Sequence, residues 1–228
     1  MHDHHSDVSG GRLRPAVFGA MDGMVTNIAL IAGVGGGGVN ARTIVLTGVA
    51  GTVAGAISMA FGEFISVRTQ NEQIAYELRR ERREIASHPK AEEAELAAAW
   101  RTRGLSAKLA AAVAAELHRR PEEALRAHAQ EELGVVPEEQ PSPWAAAILS
   151  FFTFALGALI PLAPHLAGAE QLWPALVVGG AGLFGLGAVV SRWTFRSWWF
   201  SGLRQLALGA AAAAVTYLIG ASIGIAGG

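Results

Sequence analysis

The sequence predicts an all-α membrane protein with five transmembrane helices and a charged helical domain inserted between the second and the third. Hydrophobic residues make up 51% of the 228-residue chain and charged residues only 16%, whereas a soluble globular domain has roughly 25% charged residues. The charges are also concentrated, because residues 67–140 hold 12 basic and 14 acidic side chains and leave 11 for the other 154 residues. We therefore expect a disordered cytosolic tail at 1–14, helices 1 and 2 at 15–66, a Glu-rich cytosolic domain at 67–140, and helices 3–5 at 141–228.

Five stretches are long enough to cross a bilayer, which takes about 20 mostly apolar residues. Four of these stretches contain no Asp, Glu, Lys or Arg, namely 43–62, 140–169, 171–191 and 205–228, and the first, at about 15–38, is interrupted once, by Asp22. The predicted transmembrane helices cover about 15–38, 43–66, 143–165, 172–191 and 204–226.

The distribution of basic residues predicts the orientation, because Lys and Arg are retained on the cytoplasmic side of a membrane. The inserted block is rich in Arg, and the loops on the other side of the predicted bundle carry a single basic residue, Arg42. Further basic residues lie on the same side of the predicted bundle as the inserted block. They are Arg12 and Arg14 in the amino-terminal flank and Arg192, Arg196 and Arg204 between helices 4 and 5. We expect the amino terminus and residues 67–140 in the cytosol and the carboxyl terminus outside.

The composition excludes two classes of function. A net charge of −1 provides no unpaired basic cluster for nucleic acid. The absence of cysteine excludes disulfides, thiolate metal sites and thiol nucleophiles. We expect no permanent cofactor, and any metal ion must be held by oxygen, imidazole or thioether ligands.

Two acidic residues fall within predicted spans, where ionisable groups are costly and mark a pathway or a relay by default. Asp22 lies about two turns into helix 1, one turn before Thr26, and its short carboxylate cannot reach far toward the interface. Glu63 lies near the cytosolic end of helix 2, where a simpler interpretation is that it reaches the membrane surface. Four residues at spacings of four, three and four share one face of helix 2. They are Met59, Glu63, Ser66 and Gln70.

The charged block predicts helices at about 67–87, 90–103, 105–119 and 121–134, the first continuing from helix 2. Its acidic residues are clustered in the groups Glu77, Glu81 and Glu84, then Glu92 and Glu95, then Glu131 and Glu132. Like charges one turn apart destabilise a helix, so these carboxylates need neighbouring arginines or a bound cation. A solvated hairpin with many Glu–Arg pairs is the alternative. A ferritin-like di-iron centre is disfavoured, because no Glu has a His three residues later.

Taken together, these motifs resemble the vacuolar iron transporter family over nearly the whole chain. The resemblance depends on Met-Asp22-Gly-Met-Val-Thr26, on Ser58-Met59-Ala-Phe-Gly-Glu63-Phe-Ile-Ser66 followed by Gln70, and on the Glu-rich insert. It implies export of ferrous iron, often with manganese, from the cytosol in exchange for protons. It also implies a five-span homodimer with its pore at the dimer interface.

Carried over by motif, the resemblance implies intramembrane metal ligands at Asp22 and Met59, with Glu63 near the cytosolic entrance. It also implies a cytosolic carboxylate site formed by Glu81, Glu84, Glu92, Glu95 and Glu132. Further candidates for this site are Glu77, His128 and Glu131. The chain departs from the better-known members at His128 and Ala129, where those members have a pair of methionines.

The leading functional hypothesis is a proton-coupled exporter of divalent metal ions, which is not an enzyme. Two alternatives stay open at this point: a membrane-anchored ferroxidase, and an iron-binding sensor or buffer without flux. The basic residues are 16 Arg and only 2 Lys, a bias typical of GC-rich genomes, and we expect the protein in a bacterial inner membrane.

Overall fold

A computed structural model describes residues 13–194 and 196–226 of the chain. All regular structure in these ranges is helical. The helices are α1 (Leu13–Gly36), α2 (Ala41–Ser87), α3 (Pro89–Thr102), α4 (Ala107–His118), α5 (Pro121–His128), α6 (Pro143–Leu166), α7 (Trp173–Thr194) and α8 (Trp198–Ala226), with a π-helical turn at Ala129–Leu133. Five of them, α1, α2, α6, α7 and α8, are long and apolar enough to cross a membrane. The predicted fold class, an all-α membrane protein with five transmembrane helices, is confirmed.

The helix α2 is 47 residues long and continues without a break from apolar into charged sequence, as predicted. No Gly or Pro interrupts it between Gly62 and its end. Pro89 ends it, because a proline disfavours helical geometry in the residue before it, and α3 then begins at Pro89 itself.

The last transmembrane helix differs from the prediction. It begins at Trp198 rather than near residue 204, and α7 continues to Thr194. Arg192 and Arg204 therefore lie inside helices, not in the connection between them. Long arginine side chains near helix ends can reach the membrane surface, so counting charge-free residues made the predicted helix too short. At the other end of the chain α1 includes Arg14, whereas Arg12 lies outside the described residues.

The chain divides into two compact units, and α2 contributes residues to both. The first unit comprises the residues up to Ile65 and those from Pro143 onward. A buried amide connects three of its helices: Asn27 Nδ2 of α1 donates to Thr52 Oγ1 of α2 at 3.2 Å and to the Ala158 carbonyl of α6 at 2.7 Å. Small residues allow helix backbones to approach closely in membranes. At Gly220 of α8, a Cβ atom would overlap the carbonyl of Gly33 in α1.

The second unit comprises residues 66–142, with the charged part of α2 and the helices α3, α4 and α5. An apolar cluster joins Ile85 of α2 to Ala124 and Leu125 of α5. After α5 the backbone widens into the π-helical turn, which ends at Gly134 in the left-handed region, with φ of 65°. Glycine adopts that conformation without a steric cost, so the chain can leave the helix there.

Candidate metal centre

A carboxylate-lined cavity of about 420 Å³ lies within the second unit. It lies between the charged part of α2, the first turns of α3 and the π-helical turn. The glutamates that line it are Glu77, Glu81, Glu84, Glu92, Glu95 and Glu132. Each belongs to the set that sequence reasoning singled out, and the fold brings the three separate groups to one place. Arg80 is the one basic side chain in the lining, so carboxylates outnumber cations in this cavity.

The most compact part of the cluster consists of Glu81, His128 and Glu132. One potential ligand atom from each lies within 4.8 Å of the others. His128 Nδ1 is 2.8 Å from Glu132 Oε1 and 3.1 Å from Glu81 Oε1, and the imidazole is completely buried. Short π-helical turns within helices are frequent at functional sites, and here the turn that follows His128 carries Glu132. Carboxylate oxygens with one imidazole suit divalent transition ions.

The pKa of Glu81 is raised from 4.5 to about 7. Burial of the carboxyl is the main cause, and the charge of Glu132 raises the pKa further, while His128 lowers it. Glu81 belongs to the charged part of α2, outside the apolar segment. Near neutral pH this carboxyl is therefore divided between its protonated and ionised forms, and a cation that binds it displaces a proton.

The remaining charges of the insert separate into two groups. Arg80 lies 3.2 Å from Glu84 and 3.8 Å from Glu77 at the edge of the cavity. Away from the cavity, exposed pairs such as Arg82–Glu122 match the alternative of a solvated, ion-paired hairpin. Glu131, a further candidate ligand, is instead paired with Arg103 at 2.9 Å and does not line the cavity. Surface pairing and a carboxylate-rich cavity thus coexist in this unit.

The predicted residues of the transport pathway lie in α1 and α2, with Asp22, Met59 and Glu63 in the first unit. Asp22 is half-buried and accepts a hydrogen bond from the exposed Thr26 hydroxyl at 3.4 Å. Met59 packs against the buried cluster formed by Ala56, Phe154 and Ala158. Glu63 is half-buried, and farther along α2 both Ser66 and Gln70 are exposed. Among the described residues, the group that includes Glu81 is the one place where three carboxylate or imidazole ligands lie close together. Asp22 and Glu63 belong to no such group in the described part of the chain.

Sequence reasoning overlooked two histidines that have buried ring nitrogens. His165, near the end of α6, is 4% exposed, and neither of its ring nitrogens has a partner in the described part of the chain. His118, the last residue of α4, donates from Nδ1 to the Ala114 carbonyl at 2.9 Å, and its Nε2 is buried without a partner there. The span search counted only Asp, Glu, Lys and Arg, so an ionisable imidazole in an apolar helix such as His165 passed unnoticed.

The model of the VIT family matches residues 13–221 of the chain. Among similar proteins, vacuolar iron transporter 1 of Arabidopsis thaliana is 32% identical over 171 residues, which cover 72% of this chain and 67% of that protein. Vacuolar iron transporter 1 of Oryza sativa subsp. japonica is 29% identical over 225 residues, 95% of this chain and 88% of that one. The vacuolar iron transporter of Acanthamoeba castellanii is 36% identical over 155 residues, 68% of this chain and 55% of its own length.

Proposed function

The chain belongs to the VIT family, and on that premise we propose that it is a membrane transporter that exports divalent transition metal ions from the cytosol in exchange for protons. Ferrous iron is the first substrate we expect, and manganese the second. The observation that carries the proposal is the six-glutamate cavity with its Glu81–His128–Glu132 group, in a chain with five helices able to span a membrane. Its relatives are named as transporters, which favours transport over ferroxidase chemistry.

The ligand types support transition ions over magnesium and calcium. Carboxylates alone suit hard ions, whereas an imidazole or a thioether shifts preference toward iron and its neighbours in the first transition row. His128 supplies an imidazole in the inserted unit, and Met59 supplies a thioether one helical turn from Glu63. We propose that the inserted unit gathers the ion at Glu81, Glu84, Glu92, Glu95 and Glu132, with Glu77 and His128 beside them.

The transport pathway in our proposal passes Glu63, Met59 and Asp22, with polar support from Thr26, Ser66 and Gln70. A carboxylate oxygen holds either a proton or a metal ion, but not readily both. Arrival of a cation at Asp22 then displaces a proton, and a proton arriving from the opposite side assists release of the metal. A single carboxylate therefore couples the two flows.

The pathway calls for a second copy of the chain. Asp22 has no cluster of further acidic or imidazole ligands among the residues that the structure describes, and Thr26 beside it is exposed. A twofold axis next to α1 and α2 doubles every ligand, because each residue of an isologous interface appears twice. We propose a homodimer with the pore at its interface. The proposed location is a bacterial inner membrane. On the basis of the arginine distribution, the amino terminus and residues 67–140 are cytosolic and the carboxyl terminus is outside.

Transport into proteoliposomes that contain a pH dye tests this function. We expect saturable uptake of ferrous iron, weaker uptake of manganese, little uptake of calcium, and proton movement in the opposite direction. Asp22→Ala should abolish both flows. Glu170→Gln, which alters an exposed carboxylate in the turn between α6 and α7, should behave like the wild type.

Each other outcome has a defined meaning. Full transport by Asp22→Ala removes Asp22 from the pathway. Metal binding by the wild type without uptake above empty vesicles identifies a sensor or buffer instead. Oxygen consumption on addition of ferrous iron, without uptake, identifies a ferroxidase.

A further inference from the structure

Two imidazoles lie next to each other in the inserted unit, that of His128 completely buried and that of His118 half-buried. The rings of His118 and His128 have centroids 5.4 Å apart and planes at 82°. The Nε2 atom of each ring is buried and has no hydrogen-bond partner in the described part of the chain. Buried polar atoms are nearly always hydrogen-bonded, so a pair of unsatisfied nitrogens on adjacent rings needs an explanation.

The partners of the two Nδ1 atoms fix the tautomers. His118 Nδ1 lies 2.9 Å from the Ala114 carbonyl oxygen, which only accepts, so His118 carries its proton on Nδ1 and a lone pair on Nε2. His128 Nδ1 lies 2.8 Å from the carboxylate of Glu132. Without a cation, a neutral His128 therefore also carries its proton on Nδ1 and a lone pair on Nε2. In that state neither Nε2 atom can donate a hydrogen bond to the other, and both atoms lack a partner in the described part of the chain.

A cation bound between Glu81 and Glu132 changes this arrangement. His128 can ligate that cation only through the lone pair of Nδ1, and the ring proton of the neutral imidazole must then lie on Nε2. His128 Nε2 becomes a donor beside the ring of His118, whose Nε2 is an acceptor. Two imidazoles joined by an N–H···N bond of about 3 Å have centroids roughly 5 Å apart, which is close to the observed separation.

We propose that His118 is the positioning residue for His128: it accepts the Nε2 proton when His128 Nδ1 binds a divalent transition ion together with Glu81 and Glu132. A histidine that binds metal almost always donates its other N–H to a fixed acceptor, which orients the ring and makes it a stronger ligand. Here that acceptor is a second histidine on a different helix. The inference rests on the proposed metal site of the inserted unit and is independent of whether ions cross the membrane.

The ion class distinguishes this role from general structural support. Imidazole ligation matters most for ions such as cobalt and zinc, whereas carboxylates suffice for calcium. Loss of the outer acceptor should therefore weaken cobalt binding about 10- to 100-fold and leave calcium binding nearly unchanged. The visible absorption of bound cobalt also reports directly on nitrogen coordination.

The test is calorimetric titration of the full-length protein in detergent with cobalt and with calcium. His118→Phe keeps an aromatic ring but has no acceptor, and should lose cobalt affinity selectively. His118→Gln restores an acceptor close to the position of Nε2 and should recover most of that affinity. His88→Phe, which alters an exposed imidazole of the same unit, is the matched control and should bind like the wild type.

Three outcomes would overturn the inference. If His118→Phe binds cobalt like the wild type while His128→Ala and Glu81→Gln bind it weakly, the metal site stands and the positioning role is wrong. If His118→Phe weakens cobalt and calcium binding equally and also lowers the unfolding temperature, His118 is only structural. If His128→Ala and Glu81→Gln themselves bind cobalt like the wild type, the metal site is wrong, and the positioning role is lost with it.

Discussion

His128 Nδ1 lies 3.1 Å from Glu81 Oε1, although the two residues are 47 positions apart and belong to different helices. The contact brings Glu81 of α2 close to the π-helical turn that carries Glu132. An imidazole between two carboxylates is stable in a buried site only while protons or a cation balance the negative charge. We therefore expect the protonation of Glu81 to affect both the metal affinity and the stability of this unit.

Metal affinity of the inserted unit should depend on pH through Glu81. Its pKa is raised to about 7, so a proton competes with the cation below that pH. We expect the affinity for manganese to fall by up to about tenfold for each pH unit below 7, with little further change at higher pH. Titration of the full-length protein at several pH values between 5.5 and 8 measures this slope. The slope should be smaller in Glu81→Gln. The control is Glu122→Gln, whose carboxylate pairs with Arg82 away from the cavity, and its slope should be unchanged. An unchanged slope in Glu81→Gln would contradict the assignment.

The stability of the metal-free protein should depend on pH in the opposite direction. The folded state holds the Glu81 proton up to about pH 7, whereas the unfolded chain releases it near 4.5. The contribution of Glu81 to stability is thus fully present below pH 4.5 and is lost as the pH rises through about 7. Glu81→Gln should be more stable than the wild type at pH 8 by on the order of 1–2 kcal/mol, with no such gain at pH 4.5. Thermal unfolding with a chelator present measures both values, and a variant that is less stable at pH 8 would exclude the proposed cause.

The elements of this fold were readable from the sequence because bilayer thickness sets a length that apolar stretches must reach. Proline also marks helix boundaries, and α2 and α3 accordingly meet at Pro89 as expected. Tertiary partners are different, because spacing along one helix does not indicate which helix packs beside it. The group of Glu77, Glu81 and Glu84 was visible in the sequence, yet the contact of Glu81 with His128 was not, because α2 and α5 are far apart along the chain. The resemblance placed Glu132 in the carboxylate site and left Glu131 as a further candidate, and the fold brings Glu132 to the cavity and pairs Glu131 with Arg103.

The crossing of α1 and α8 should tolerate no side chain at Gly220. A Cβ atom there overlaps the Gly33 carbonyl, and backbone cannot move aside as a flexible side chain can. Gly220→Ala should destabilise the protein by about 1–3 kcal/mol, the usual cost of inserting an extra carbon into a packed interface. Gly185→Ala is the matched control, because a Cβ atom at Gly185 meets nothing within 4 Å. Thermal unfolding in detergent compares them, and equal unfolding temperatures would show that the helices are farther apart than described.

The amide of Asn27 should be the polar connection that holds α1, α2 and α6 together. It is 1% exposed and donates to both Thr52 and Ala158. Side-chain hydrogen bonds between membrane helices contribute about 0.6–2 kcal/mol, and removal of the amide also leaves a cavity. We expect Asn27→Ala to lower stability by about 2–3 kcal/mol, measured by unfolding in detergent. Thr26→Ala, one residue away on the exposed side of α1, should leave stability unchanged, because its hydroxyl is exposed and donates a long hydrogen bond, of 3.4 Å, to Asp22. If both variants lose the same amount of stability, the loss arises from a general weakening of α1. If only Asn27→Ala is destabilised, the hydrogen bonds between the three helices account for the loss.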